Sequence, residues 1–121
     1  MIDFANKRLG GGVLKNGCVQ EEVLFCIFPE AILSKIICEP LDDQESVIIY
    51  GARRFSNYKG YSDTFEHMPL KKVDTKIGQK SILVAIDAID FSKYPSNYQY
   101  CKKAVRREIN KAVAGFQGAG L

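Results

Sequence analysis

The spacing of apolar and polar residues changes several times along the chain, and each change predicts an element. Residues 1–9 open on an apolar–acidic–apolar stretch (Ile2, Asp3, Phe4) with no helical period. Gly10, Gly11 and Gly12 follow, and Asn16-Gly17 is a turn signal, so 10–18 reads as a loop. From Val19, the polar triplet Gln20, Glu21 and Glu22 leads into the apolar run Val23, Leu24, Phe25, Cys26, Ile27 and Phe28. That run by itself fits a buried helix or a strand. Acids in a first turn complement the positive end of the helix dipole, which favours a helix. Pro29 suits the first position of a second helix, continued by Ala31, Ile32, Lys35 and Ile36 and ending near Pro40. Leu41, Asp42, Asp43 and Gln44 form a polar turn.

The second half contains more β-type signals. Residues 46–50 (Val47, Ile48, Ile49, Tyr50) are a β-branched run bounded by Gly51. Residues 52–78 mix aromatic and polar positions and read as a loop with a short strand near 63–68; 69–79 are Lys-rich and turn-like. Residues 81–88 (Ile82, Leu83, Val84, Ala85, Ile86) form the strongest strand, and their nearly continuous apolar character predicts a strand covered on both faces. Cys101, Ala104, Val105, Ile109, Ala112 and Val113 recur at helical spacing and predict a helix over 97–114, ended by Gly115 and the Gly118-Ala119-Gly120 tail. Strands alternating with helices predict an α/β domain with a mostly parallel sheet.

Composition narrows the class. A length of 121 residues allows one domain or part of one. The balance of 46% apolar and 26% charged residues is that of a globular chain, not of a disordered tail or a disulfide-dense scaffold. No run of about 18 uncharged apolar residues is present, so no membrane span is expected. Residues 1–6 lack the features of a signal peptide. The net charge of +3 is weak support for a nucleic-acid partner. The densest basic stretch, Lys102, Lys103, Arg106 and Arg107, reads first as the solvated face of a helix. Cys18, Cys26, Cys38 and Cys101 contain no C-x-x-C pair and are accompanied by a single histidine, His67. That argues against a structural zinc site and against a Cys–His nucleophile. Reduced intracellular thiols are the default.

The first 22 residues hold the candidate chemistry. Asp3 and Asn6, the glycine triplet and Gln20-Glu21-Glu22 fall within one short stretch. A glycine-rich loop lets backbone N–H groups approach an anionic or crowded ligand. A carboxyl beside such a loop can have its proton affinity tuned by its surroundings. Cleavage of a glycosidic bond needs such a group to protonate the leaving oxygen, with charge nearby to stabilise an oxocarbenium-like transition state. Glu21 and Glu22, as helix neighbours, point in different directions and would take two roles.

Asp3-Phe4-Ala5-Asn6, then Gly10-Gly11-Gly12, then Gln20-Glu21-Glu22 resembles the signature of poly(ADP-ribose) glycohydrolases. The resemblance continues through Phe25 to Pro29, Glu30, Leu41-Asp42-Asp43, Val47 to Gly51, Tyr58-Lys59-Gly60-Tyr61, Val84-Ala85-Ile86-Asp87-Ala88 and the helix from Arg106 to Ala112 that leads to Gly115-Phe116. It covers nearly the whole chain. It implies a macrodomain-like mixed sheet flanked by helices, here a partial one over 1–121. The implied activity is hydrolysis of ribose–ribose O-glycosidic bonds in poly(ADP-ribose), with no metal or organic cofactor. Glu22 would be the catalytic acid and Glu21 would hold the ribose hydroxyls. Asp3 would support the loop and its charge balance. Asn6 would contact the terminal ribose, Gln20 the substrate and Tyr61 the ADP-ribose. Gly10, Gly11 and Gly12 would pass close to ribose and phosphates. A nuclear or cytoplasmic home and a part in the DNA-damage response follow from the same resemblance, with no membrane association and no sequence-specific nucleic-acid binding.

The pattern also departs from the family. Relatives carry a strand and segment before the signature, and beyond Gly115-Phe116 a second glycine-rich loop around the diphosphate. Here only Met1 and Ile2 precede Asp3, and Gln117 to Leu121 close the sequence. An uncovered sheet edge and the loss of charge-assisted hydrogen bonds worth about 1.5–3 kcal/mol each are therefore expected. The alternative to a hydrolase is a weakly active or inactive module that binds ADP-ribose.

Overall fold

The computed structural model describes residues 1–69 and 80–120. The expected turn-like stretch 69–79 lies, beyond Pro69, outside the described residues. The elements are β1 (Ile2–Ala5), α1 (Gln20–Ile27), α2 (Ile32–Ile37), β2 (Val47–Arg53), β3 (Asn57–Lys59), β4 (Glu66–Met68), β5 (Lys80–Asp87) and α3 (Lys102–Gly118), with short 3-10 turns such as Pro29–Ala31 and Tyr98–Tyr100 between them. A three-stranded sheet has the order β1-β5-β2, and β3 and β4 form a separate antiparallel pair.

The architecture is the expected α/β one, and the sheet is mixed, as the family resemblance implies, rather than mostly parallel, as the alternation of elements suggests. β1 runs parallel to β5, with Asp3 opposite Ala85 and Ala5 opposite Asp87. β2 runs antiparallel to β5. A parallel pair requires a long crossover, usually helical; the connection from β2 to β5 carries the β3–β4 pair and reverses the chain instead. Gly51 does not end β2. Its φ of +83° accommodates a register shift between Tyr50 and Ala52, and the strand continues to Arg53.

The central position of β5 accounts for its apolar sequence. Leu83 packs with Leu24, Phe25, Ile27, Phe28, Ala31 and Ala52 in the main core. Ala85, on the same face, joins Ala5, Leu9 and Leu41. The alternate positions Val84 and Ile86 meet α3 at Gly115, where an added Cβ would lie 2.9 Å from Val84 and 2.8 Å from Ile86. At Gly118 it would lie 2.5 Å from Ile48. These glycines let α3 approach the sheet, so the helix runs through Gly115 to Gly118 instead of stopping at 114. It also begins later than expected, at Lys102, because 98–100 form a 3-10 turn.

β1 lies at the sheet edge, yet part of its outer backbone is paired. The Gln20 side chain accepts a hydrogen bond from the Phe4 N–H at 2.9 Å and donates one to the Ile2 carbonyl at 3.0 Å. The start of α1 thus does for β1 what a neighbouring strand would do.

Candidate active site

The glycine bend and α1 are joined through carboxylates. Glu21 Oε1 accepts from the Gly10 N–H at 2.5 Å, and its Oε2 accepts from the Asn6 N–H at 2.9 Å. Glu22 Oε1 accepts from the Gly12 N–H at 2.8 Å. Its Oε2 accepts from the Val19 N–H at 3.0 Å, the contact by which a glutamate in the first turn caps its own helix. Consecutive helix positions diverge, so the two side chains reach different points of the same bend.

These bonds correct one expectation. The glycine N–H groups do not point outward to an anion: Gly10 and Gly12 donate to Glu21 and Glu22, and the Gly11 N–H donates to the Arg8 carbonyl at 3.2 Å. The close approach for which the glycines are needed is to the glutamates. Gly10 and Gly11 have φ of +77° and +43°. A Cβ on Gly11 would collide with Glu22 Oε1 and lie 2.8 Å from Glu21 Oε2. Gly17, which the sequence marks only as a turn residue, is equally constrained, since its Cβ would lie 2.6 Å from Glu22 Oε1. Asn6 opens the bend, its Oδ1 accepting from the Arg8 N–H at 3.0 Å in an Asx turn.

Asp3 has an unusual environment. It is 1% exposed, and neither carboxyl oxygen has a hydrogen-bond partner. Burial, together with the negative charges of Glu21 and Glu22, pushes its pKa up to about 8, so it is mostly neutral at pH 7. Burial also raises the pKa of Glu21, opposed by the Asn6 and Gly10 N–H groups, reinforced by Glu22 and opposed again by Lys35. Three acids are therefore gathered under one bend, and among the described residues none of them forms an ion pair. The shifted proton affinities of buried Asp3 and Glu21 make this cluster a candidate reaction site.

Two further residues complete the frame. Lys35 on α2 donates from Nζ to the Gly11 carbonyl at 2.7 Å and the Leu9 carbonyl at 3.4 Å, gripping the bend by the groups that the glutamates do not use. The sequence reading took Lys35 only as a helix position. No local motif marks it, because the contact joins residues 24 and 26 positions apart. Cys18 Sγ lies 3.2 Å from Ser62 Oγ, linking the end of the bend to the segment that carries Tyr61.

The remaining expected residues divide between two cavities. Gln20 and Tyr61 line one of about 310 Å³, together with Arg54 and Tyr58. Asn6 lines another of about 410 Å³, with Lys7, Asp87 and Arg107. Glu21 and Glu22, 2% and 6% exposed, form part of neither wall; they are bonded to the bend. Gln20 has both ends of its amide engaged by β1. Among the described residues, no group of three or more His, Cys, Asp or Glu side chains is arranged to hold a metal ion. No helix there is long and apolar enough to cross a membrane.

Residues 1–120 match the family model described as poly(ADP-ribose) glycohydrolase, macro domain fold. The chain is 44% identical over 119 residues to poly(ADP-ribose) glycohydrolase 1 of Arabidopsis thaliana, covering 95% of the chain and 21% of that protein. It is 38% identical over 132 residues to poly(ADP-ribose) glycohydrolase 2 of Caenorhabditis elegans, covering 98% of the chain and 27% of that protein. The chain thus spans about a quarter or less of the length of these relatives. A match along essentially its whole length places this chain, a mixed sheet flanked by helices, in the poly(ADP-ribose) glycohydrolase family.

Proposed function

We propose that this chain carries the acid–base centre of a glycosidase that hydrolyses the ribose–ribose linkages of poly(ADP-ribose) and releases ADP-ribose. The observation that carries the reading is the direct bonding of both Glu21 and Glu22 to the glycine bend. Glu22 donates a proton to the departing ribose oxygen, and its carboxylate then takes one from the water that attacks the anomeric carbon. Glu21, already bonded to Asn6 and Gly10, accepts from the ribose hydroxyls beside the scissile bond. Asp3 stays neutral, which spares the two glutamates a third negative charge at close range. Asn6 and Tyr61, in the walls of two separate cavities, position the ribose and the adenine-bearing unit.

A second reading, an ADP-ribose-binding module without turnover, draws support from the internal use of the Gly10, Gly11 and Gly12 N–H groups, which leaves the bend few donors for a diphosphate. The test is release of ADP-ribose from purified polymer, followed by chromatography. Release by the unaltered chain that disappears in Glu22→Gln, with ADP-ribose binding retained, supports the hydrolase. Calorimetric binding of ADP-ribose with no release by the unaltered chain supports the module.

A further inference from the structure

The basic stretch at the start of α3 acquires a setting that its sequence does not reveal. Lys102, Lys103 and Arg106 are exposed, and with Arg107 and Asn110 they line a groove of about 440 Å³ whose other wall is Asp43 and Gln44. Four cations face one carboxylate, and that carboxylate, Asp43, lies 3.3 Å from Arg107. Lys102, Lys103 and Arg106 have no ion-pair partner among the described residues.

The groove is continuous with the candidate active site. Asp43 and Arg107 belong to its wall and also to the wall of the cavity that contains Asn6. Asn6 is bonded through its N–H to Glu21. Tyr94 lies in the same cavity wall, 46% exposed, and one of its faces is stacked on Tyr98 at 4.5 Å and 10°. An aromatic ring held by stacking on one side offers a flat platform on the other. A path of phosphate-binding cations beside a stacking platform is the combination that captures a single-stranded nucleotide polymer.

We propose that the α3 groove and Tyr94 form a docking track for poly(ADP-ribose) units remote from the linkage at Glu22, with the cations on the diphosphates and Tyr94 on an adenine. This rests on the proposed function for the polymer's identity, but its test does not require turnover. Each phosphate contact on a single strand contributes about 0.7 to the slope of log affinity against log salt. The triple variant Lys102→Glu, Lys103→Glu, Arg106→Glu changes only exposed side chains, and its melting curve verifies that it folds.

The experiment is fluorescence anisotropy of labelled poly(ADP-ribose) about 20 units long and of labelled ADP-ribose, each titrated at several salt concentrations. The expected result for the triple variant is polymer binding weaker by about tenfold or more at low salt, a salt slope smaller by about 2, and unchanged ADP-ribose affinity. Tyr94→Ala is expected to weaken polymer binding about fivefold or more with the slope unaltered. Equal losses for polymer and ADP-ribose, or no loss for polymer, overturn the track. Competition by single-stranded DNA as effective as by polymer of equal charge overturns it in favour of a nucleic-acid surface. Failure of the unaltered chain to bind ADP-ribose or polymer overturns both the track and the proposed function.

Discussion

Two clusters of buried charge adjoin the β1–β5 pair and are stabilised in opposite ways. At the end of β5, Asp87 is enclosed by cations. Lys111, 1% exposed, donates to Asp87 Oδ1 at 2.5 Å and to the Glu45 carbonyl at 2.6 Å. Arg107 donates to Asp87 Oδ2 at 3.0 Å and to its backbone carbonyl at 2.6 Å. Burial opposes the charge on Arg107, but its bonds to Asp87 outweigh that and raise its pKa above the ordinary arginine value. Around β1, by contrast, Asp3, Glu21 and Glu22 are buried together, held by backbone N–H groups alone, and Asp3 lacks even those. The first cluster is what a fold requires of a buried charge, a counter-charge and filled hydrogen bonds. The second keeps an electrostatic conflict of the kind that makes a cluster a candidate reaction site.

The contrast can be broken most severely at Lys111. Lys111→Met leaves Asp87 with half its partners inside the protein and is expected to cost about 3–5 kcal/mol by urea unfolding. Adding Asp87→Asn should recover part of that loss. Equal stability of single and double variants would show that the pair is not coupled.

At the other cluster, Gly11→Ala imposes the left-handed backbone at φ +43° on a residue whose Cβ collides with both glutamates. The expected cost is about 1–3 kcal/mol, with turnover falling by more than stability alone explains. Gly120→Ala is the control, with φ +74° but nothing within 4 Å of the added Cβ.

Asp3 sharpens the comparison through pH. Its folded pKa of about 8 lies above its ordinary 3.8. Between those values the unfolded chain is deprotonated and the folded chain is not. Stability therefore falls as pH rises from about 4 to about 8, by at most about 1.4 kcal/mol per pH unit, and levels off above. Glu21, also raised, contributes with the same sign. Asp3→Asn should flatten the profile and stabilise the protein at pH 8; denaturant midpoints across pH 5–8 measure it, and an unchanged slope would mean that Asp3 is ionised in the folded state.

The smallest expected effect is at Lys35. Lys35→Met removes two bonds to the bend, both only part-buried and one as long as 3.4 Å, so the loss is expected to stay below the roughly 1.5–3 kcal/mol of a well-formed charge-assisted bond, and Lys35→Arg should restore them. Hydrogen exchange of the Gly10 and Gly12 amides is the readout, because loss of the grip should speed both.

Much of the site was legible from short-range pattern. Glu21, Glu22 and the glycines lie within 12 positions of one another, and helix geometry alone requires the neighbouring glutamates to diverge. The core of β5 was legible from its unbroken apolar run. Less visible were the targets. The glycine N–H groups looked available for a ligand, although they hold the glutamates. Gln20, expected as a substrate contact, also has its amide bonded along the edge of β1. Gly115 looked like a helix stop, although it is a contact point with Val84 and Ile86.

The amino-acid order by itself favoured a helix after Val19, marked the central strand and set a glycine bend close in the chain to paired acids, because propensity, hydrophobic period and dipole preference act over a few residues. Only the tertiary structure decided that β2 lies antiparallel to β5, that Lys35 reaches the bend, that Asp3 is sealed without a partner and that Lys111 is buried on Asp87. Each of those depends on groups far apart in the chain, where desolvation and close packing, not local preference, set the outcome.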